Sequence, residues 1–132
     1  MDFEFEDVGI LRASCEKGLY RMALDVDPAI AEYARSLIPA YHRVQKPKFP
    51  PHMSVVRQRE PLVDFERFSG EVVSFRYAMG LHNDDTYWWL IADSQRLREI
   101  RSELGPPELA WCCRPPDDTE CFHITVANTK TV

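Results

Sequence analysis

The sequence has no apolar run approaching the ~20 residues that span a bilayer. Its longest, such as Tyr87-Trp88-Trp89-Leu90-Ile91-Ala92, stop far short of that. It also lacks the charged-then-apolar form of a signal peptide, because Met1-Asp2-Phe3-Glu4-Phe5-Glu6-Asp7 is acidic. A cytoplasmic protein with no membrane association is therefore expected. There is no C-x-x-C pair among the four cysteines Cys15, Cys112, Cys113 and Cys121. Adjacent Cys112 and Cys113 are poorly spaced for zinc or for two ordinary bridges. A zinc site from Cys112, Cys113, Cys121 and His123 can be drawn, but reduced buried thiols are the expectation, with no metal and no cofactor. Surplus positive charge is missing too: 16 Lys+Arg stand against 21 Asp+Glu, a net charge of −5. That excludes a protein that coats long duplex DNA or RNA, which needs a basic face for counterion release. A small nucleotide, needing only a local basic pocket, remains open.

What is present describes one soluble domain over residues 1–132, with 45% hydrophobic and 28% charged residues. A chain this long buries roughly two-thirds of its extended surface and needs no disulfide or metal for stability. A monomer is expected.

The same unit occurs twice. In the first, Tyr20, Met22, Leu24 and Val26 share one face of a strand, and Asp27-Pro28 then signals a helix start. Ile30, Tyr33, Ala34, Leu37, Ile38 and Tyr41 follow as one apolar helical stripe, and Pro39 ends or kinks the helix. A basic, proline-rich loop from Arg43 to Pro51 leads into the strand His52-Met53-Ser54-Val55-Val56-Arg57. In the second unit, Thr86–Ala92 is a buried strand, and Asp93 or Ser94 caps a helix carrying Leu97, Ile100 and Leu104. Gly105-Pro106 stops that helix, and a loop rich in Pro and Asp leads into Phe122-His123-Ile124-Thr125-Val126-Ala127. Tyr20 to Tyr87 spans 67 residues and His52 to His123 spans 71. Between the units, Glu71–Leu81 is expected as a further strand, with residues 82–85 as its hairpin turn. The first dozen residues add an edge strand. The expected fold is α+β: two pseudo-symmetric β-α-β lobes, about 19–60 and 71–130, whose antiparallel sheets face each other across a central cleft.

Each unit ends in His-x-Ser/Thr on a strand. Because side chains alternate, the imidazole and the hydroxyl of each motif project from one face, about 6–7 Å apart. Met53, Val55, Ile124 and Val126 take the opposite face and belong in the core. One such tripeptide means little, but two at matching positions of an internal repeat aim two imidazoles and two hydroxyls at one place. Phosphodiester chemistry uses that set well: a neutral histidine removes a proton from the nucleophile, and a protonated one donates to the leaving oxygen. Histidine's ordinary pKa near 6.5 makes both forms accessible. Ser54 and Thr125 would hydrogen-bond the non-bridging oxygens.

These motifs, each preceded by a strand and a helix, resemble the 2H phosphoesterase superfamily, which includes the LigT-like RNA 2′,3′-cyclic phosphodiesterases. The resemblance runs from Leu19 to Asn128. Tyr-Arg-Met-Ala-Leu-Asp-Val-Asp-Pro is similar to the first strand and helix start of LigT-like proteins. The small size, with Pro-His-Met-Ser-Val-Val-Arg and Phe-His-Ile-Thr-Val-Ala-Asn, is more similar to small phage-encoded 2H proteins, labelled RNA-repair-like or anti-CBASS nucleases that degrade cyclic oligonucleotides. A phage-encoded protein would act in the host cytosol. The resemblance implies His52 and His123 as the catalytic acid/base pair and Ser54 and Thr125 as phosphate-binding hydroxyls. It leaves open which histidine is the acid and which the base.

Other residues offer substrate contacts. Arg43–Arg59 carries five basic residues and no acidic one, leaving −10 on the rest of the chain. Lys46 and Lys48 are the candidates for steering a phosphate. Arg57, in odd register with His52 and Ser54, is expected to point away, and Lys130 is a further candidate. Bases stack on aromatics, so either Tyr87 with Trp89 or Trp88 alone could line the cleft; all three in the core is the alternative. Phe49 and Trp111 are possible lids, and His42 and His82 are expected to be surface residues. Five readings compete: a metal-independent phosphodiesterase cutting cyclic di- or trinucleotides, one cutting RNA 2′,3′-cyclic phosphates or 2′–5′ linkages, one cutting cyclic ADP-ribose-type molecules, a non-catalytic nucleotide-sequestering module, and a plain structural or protein-interaction domain. The first is favoured, with a small nucleotide as partner and no duplex DNA.

Overall fold

In the computed structural model, residues 3–104 and 122–130 are described. Seven strands form one antiparallel sheet with two helices. In chain order these are β1 (Phe5–Glu16), β2 (Leu19–Asp25), α1 (Pro28–Ser36), β3 (His52–Gln58), β4 (Val72–Tyr77), β5 (His82–Asn83), β6 (Tyr87–Asp93), α2 (Gln95–Leu104) and β7 (Phe122–Asn128). The α+β class is as expected, and the two halves share one sheet of order β4-β1-β2-β3-β7-β6-β5 rather than two separate ones. The halves meet at two short seams. Met53 pairs with Ile124 between β3 and β7, and Arg76 and Tyr77 of β4 pair with Asp93 and Ala92 of β6.

Local sequence explains the elements. Lys17 (φ 51°) and Gly18 (φ 76°) form the two-residue turn between β1 and β2, a left-handed pair that matches strand twist. β1 is an interior strand, paired with β2 on one side and β4 on the other, not the expected edge. Its Gly9 permits that position, since a Cβ there would sit 2.5 Å from the Asp25 carbonyl oxygen. Asp27 caps α1 by accepting from Ala29 N–H at 2.9 Å, with Pro28 at the first position. α1 ends at Ser36, and its buried stripe is Ile30, Ala31 and Ala34, with Ile38 beyond. Tyr33, Leu37 and Tyr41, assigned to that stripe from spacing, are exposed, because the helix stops before it can carry the last two inward. Ser94 Oγ accepts from Leu97 N–H and opens α2, whose Leu97 and Ile100 are fully buried. Residues 82–85 are only in part a turn: His82 and Asn83 pair with Trp89 and Trp88, and Asp84 Oδ1 accepts from the backbone N–H groups of Thr86 and Tyr87.

One face of the sheet is the core. Met22, Leu24, Met53, Val55, Val73, Phe75, Leu90, Ile124 and Val126 pack there with Ile30, Ala34, Leu97 and Ile100. Burying such side chains contributes roughly 1.5–3 kcal/mol each. Among the described residues no helix is long and apolar enough to cross a membrane. Cys15 is exposed, unlike the buried thiol expected, because it lies in the last turn-proximal residues of β1. Cys112, Cys113, Cys121 and Trp111, with the stop at Gly105-Pro106, lie outside the described residues.

The halves repeat each other closely. His52 is paired with Asp25 in one half, and His123 with Ile91 in the other. The equivalent of Asp25 is therefore Ile91, an offset of 66, so Tyr87 matches Arg21 and not Tyr20. The helix starts Pro28 and Gln95 are 67 apart, while Arg35 of α1 and Arg101 of α2 keep the strand offset of 66. The histidine strands are offset by 71, because α2 starts one residue later, is one residue longer and is followed by a connection three residues longer.

Candidate active site

The seam between β3 and β7 builds the site. With Met53 opposite Ile124 in antiparallel register, His52 falls beside Thr125 and Ser54 beside His123. Met53 and Ile124 are fully buried, while the four motif side chains are partly exposed on the opposite, open face. Direct cross-strand neighbours stand about 4.5–5.5 Å apart and diagonal ones about 7–8 Å. The two histidines are the diagonal pair, each with a hydroxyl beside it on its own strand and another across the seam. The sequence-predicted quartet is thus brought together. Neither Ser54 nor Thr125 uses its hydroxyl in a hydrogen bond to a described residue, so both can face a ligand.

His52 is oriented from behind. Its Nδ1 donates to the Pro50 carbonyl oxygen at 2.9 Å, since a carbonyl can only accept. That contact leaves Nε2 with the lone pair when the ring is neutral and with the transferable proton when it is charged.

Just past each motif the strand carries an extra residue. Ala23 pairs with Ser54 but Met22 pairs with Val56, so Val55 is bulged. Trp89 pairs with Thr125 but Trp88 pairs with Ala127, so Val126 is bulged at the same place. A bulge takes its residue out of the ladder, and a buried carbonyl then needs another donor. Both are supplied by the other half's helix. Arg35 of α1 donates from Nη1 to the Val126 oxygen at 2.8 Å, and Arg101 of α2 donates from Nη1 to the Val55 oxygen. These crossed guanidinium contacts tie the halves together directly behind the site.

The bulges also re-aim the side chains beyond them. Past Val55, Arg57 pairs with Arg21 and shares the open face with Ser54 and His52. Plain alternation points Arg57 the other way, and the extra residue is the reason it does not. Asn128 is turned in the same manner beside Tyr87.

The open face differs between the halves. On β1, β2 and β3 it carries Arg12, Arg21, Arg57 and Asp25, around a cavity of about 780 Å³ that also takes in His52, Ser54 and Phe49. Arg12 forms a two-pronged ion pair with Asp25, both contacts 3.0 Å, and this hydrogen bonding holds its guanidinium pKa above the ordinary value. On β6 the face carries Tyr87 and Trp89, while Trp88 takes the other face and meets His42 edge-on at 5.0 Å between ring centroids. Trp89 stacks with His82 at 6.2 Å and 18°, and the Lys130 ammonium sits 4.9 Å from the Tyr87 ring centroid. His82 is thus part of the aromatic face, not an isolated surface histidine.

The basic loop is anchored to the second half. Gln45 and Asn128 exchange backbone hydrogen bonds of 2.9 and 3.0 Å, and Gln45 Nε2 donates to Asn128 Oδ1 and to the Lys130 carbonyl. Phe49 lines the cavity, with the Lys48 ammonium 5.8 Å from its ring. Lys46 and Lys48 are exposed and do not line it. His123 and Thr125 lie outside its lining as well, across the seam. The sequence reading does not single out Arg12, Arg21 and Asp25; for Arg21 and Asp25 the signal is their alternation with Met22 and Leu24 in β2, and for Arg12 its alternation with Leu11 in β1. Among the described residues no group of three metal-ligating side chains occurs. No family model, curated protein or solved structure matches the chain.

Proposed function

We propose that the protein is a metal-independent phosphodiesterase acting on small nucleotides through His52 and His123, in a two-lobed architecture of the 2H kind. The observation that carries this is the Met53–Ile124 register, which gathers both His-x-Ser/Thr motifs on one open face. The matched bulges and crossed arginines support the two-lobed reading, since each half completes the other's strand.

In the proposed reaction one neutral histidine takes a proton from the attacking water or sugar hydroxyl as its oxygen bonds to phosphorus. The bond to the leaving oxygen breaks, and the other, protonated histidine supplies that oxygen with a proton. Each transfer is worth about 10²–10⁴ in rate. Ser54 and Thr125 hold the non-bridging oxygens, where charge builds up. The Tyr87–Trp89 face supplies a surface for a base.

Cyclic di- or trinucleotides are the substrates of choice. A net charge of −5 with a basic segment anchored beside the site suits a compact anion better than a long one. The test is incubation in EDTA with cyclic dinucleotides, cyclic trinucleotides and oligonucleotides ending in a 2′,3′-cyclic phosphate, read by chromatography. Cleavage of the cyclic oligonucleotides, absent in the His52→Ala/His123→Ala variant, is expected. Cleavage of the RNA ends alone moves the substrate to RNA processing, and binding with full recovery of intact ligand makes the protein a sequestering module.

A further inference from the structure

Arg21 and Arg57 stand directly opposite each other on β2 and β3, pointing to the same open face. Like charges in that relation are about 4.5–5.5 Å apart at Cβ and destabilise a sheet. Neither forms an ion pair or side-chain hydrogen bond with any described residue. Of the carboxylates lining the same cavity, Asp25 is taken by Arg12, and Glu16 lies diagonal to Arg21 without an ion pair between them. The bulge at Val55 is what turns Arg57 into this position. Two exposed arginines on directly paired residues, both lining a cavity of about 780 Å³ and neither ion-paired to a described residue, offer an anion two guanidinium groups.

We infer that this pair binds a second phosphate of the substrate, one position along the chain from the phosphate held by Ser54. The pair lies just past Ser54 on β3, at the end of the seam occupied by His123. Resting on the phosphodiesterase reading, this makes the substrate a nucleotide with at least two phosphates, as in a cyclic oligonucleotide or a phosphorylated RNA end. The second half offers no counterpart: the equivalent positions are Tyr87 and Asn128. The receptor is therefore one-sided and fixes the direction in which the substrate lies.

The experiment uses adenosine 3′,5′-bisphosphate and adenosine 5′-monophosphate, whose phosphomonoesters a phosphodiesterase does not cut, in calorimetric titrations. The wild type is expected to bind the bisphosphate about tenfold more tightly or better. The Arg21→Gln/Arg57→Gln variant should lose that advantage and bind both alike. Without ligand, Arg57→Gln should melt at a higher temperature than the wild type, because the repulsion is gone; a merely structural arginine would lower it. Equal binding of the two nucleotides by the wild type, no binding of either, or an advantage that survives in the double variant overturns the inference. Phosphodiester cleavage without a bisphosphate advantage removes this receptor and leaves the enzyme reading standing. A bisphosphate advantage without any cleavage does the reverse.

Discussion

The two halves share a skeleton and differ in what they put on it. Strand, capped helix and histidine strand recur with offsets of 66, 67 and 71, down to the bulged valine and the arginine that satisfies it. Yet on the open face one half shows arginines and a carboxylate, and the other shows tyrosine, tryptophan and histidine. The skeleton answers a packing demand common to both: each bulge leaves a buried carbonyl that must find a donor. The open face answers no such demand and is free to specialise. In the proposed reading, one half takes the phosphate and the other the base, with the histidine pair between them.

Substitutions can break this comparison at several levels. The largest effect is expected at the point of symmetry. His52→Ala and His123→Ala should each lower kcat by about 10²–10⁴, and the double variant should fall little below either single one. Initial rates in EDTA check this.

Next come the crossed arginines. Arg101 is only 7% exposed, so Arg101→Met should cost about 2–3 kcal/mol by leaving the Val55 carbonyl without its guanidinium. Arg35, at the half-buried counterpart, should cost about 1 kcal/mol as Arg35→Met. Urea unfolding gives both values, and equal losses would mean the two contacts are equivalent after all.

How much of this was legible in the sequence can be judged from the same parts. The His-x-Ser/Thr faces follow from strand alternation, and Asp27-Pro28 is a start signal that tertiary packing had no reason to override. The bulges were less visible. Their trace is a doubled apolar pair, Val55-Val56 and Val126-Ala127, at one place in both motifs, where strict alternation predicts a single core residue. Alternation without the extra residue points Arg57 the wrong way, and the match of Tyr20 to Tyr87, made on residue type, is one residue off the register that the histidine pairings set. The extent of α1 was misjudged because apolar spacing continues to Tyr41 while the backbone leaves the helix after Ser36. The joining of the halves into one sheet depends on pairings between residues far apart in the chain, which spacing within each unit does not encode.

The two faces should also separate kinetically. Trp89→Ala should raise KM about 5- to 150-fold with a smaller change in kcat, since stacking is worth roughly 1–3 kcal/mol per base. A kcat loss as large as that of the histidine variants would place Trp89 in the chemistry rather than beside it.

The smallest effect tests the β4–α2 packing in the second half. Arg96 hydrogen-bonds Glu71 at 2.6 and 2.8 Å and holds its carboxyl below the ordinary value of 4.5. The folded-state value is the lower one, so this stabilisation is present above pH 4.5 and is lost as the pH falls through the folded value. The pair is more than a third exposed on the arginine side, so its contribution is under about 1 kcal/mol. Glu71→Gln should lower the melting temperature slightly at pH 7, and the difference from wild type should shrink at pH 3.

The central claim is that two histidines at matched positions divide acid and base work across one phosphate. Its most direct test is the pH dependence of kcat/KM for cleavage of a cyclic dinucleotide or trinucleotide in EDTA, for the wild type and each single histidine variant. The account predicts a bell-shaped wild-type profile, rising as the base loses its proton and falling as the acid does. One variant should lose the rising limb and the other the falling limb. A wild-type profile with a single limb, two variants that lose the same limb, or activity that appears only with added metal would contradict it.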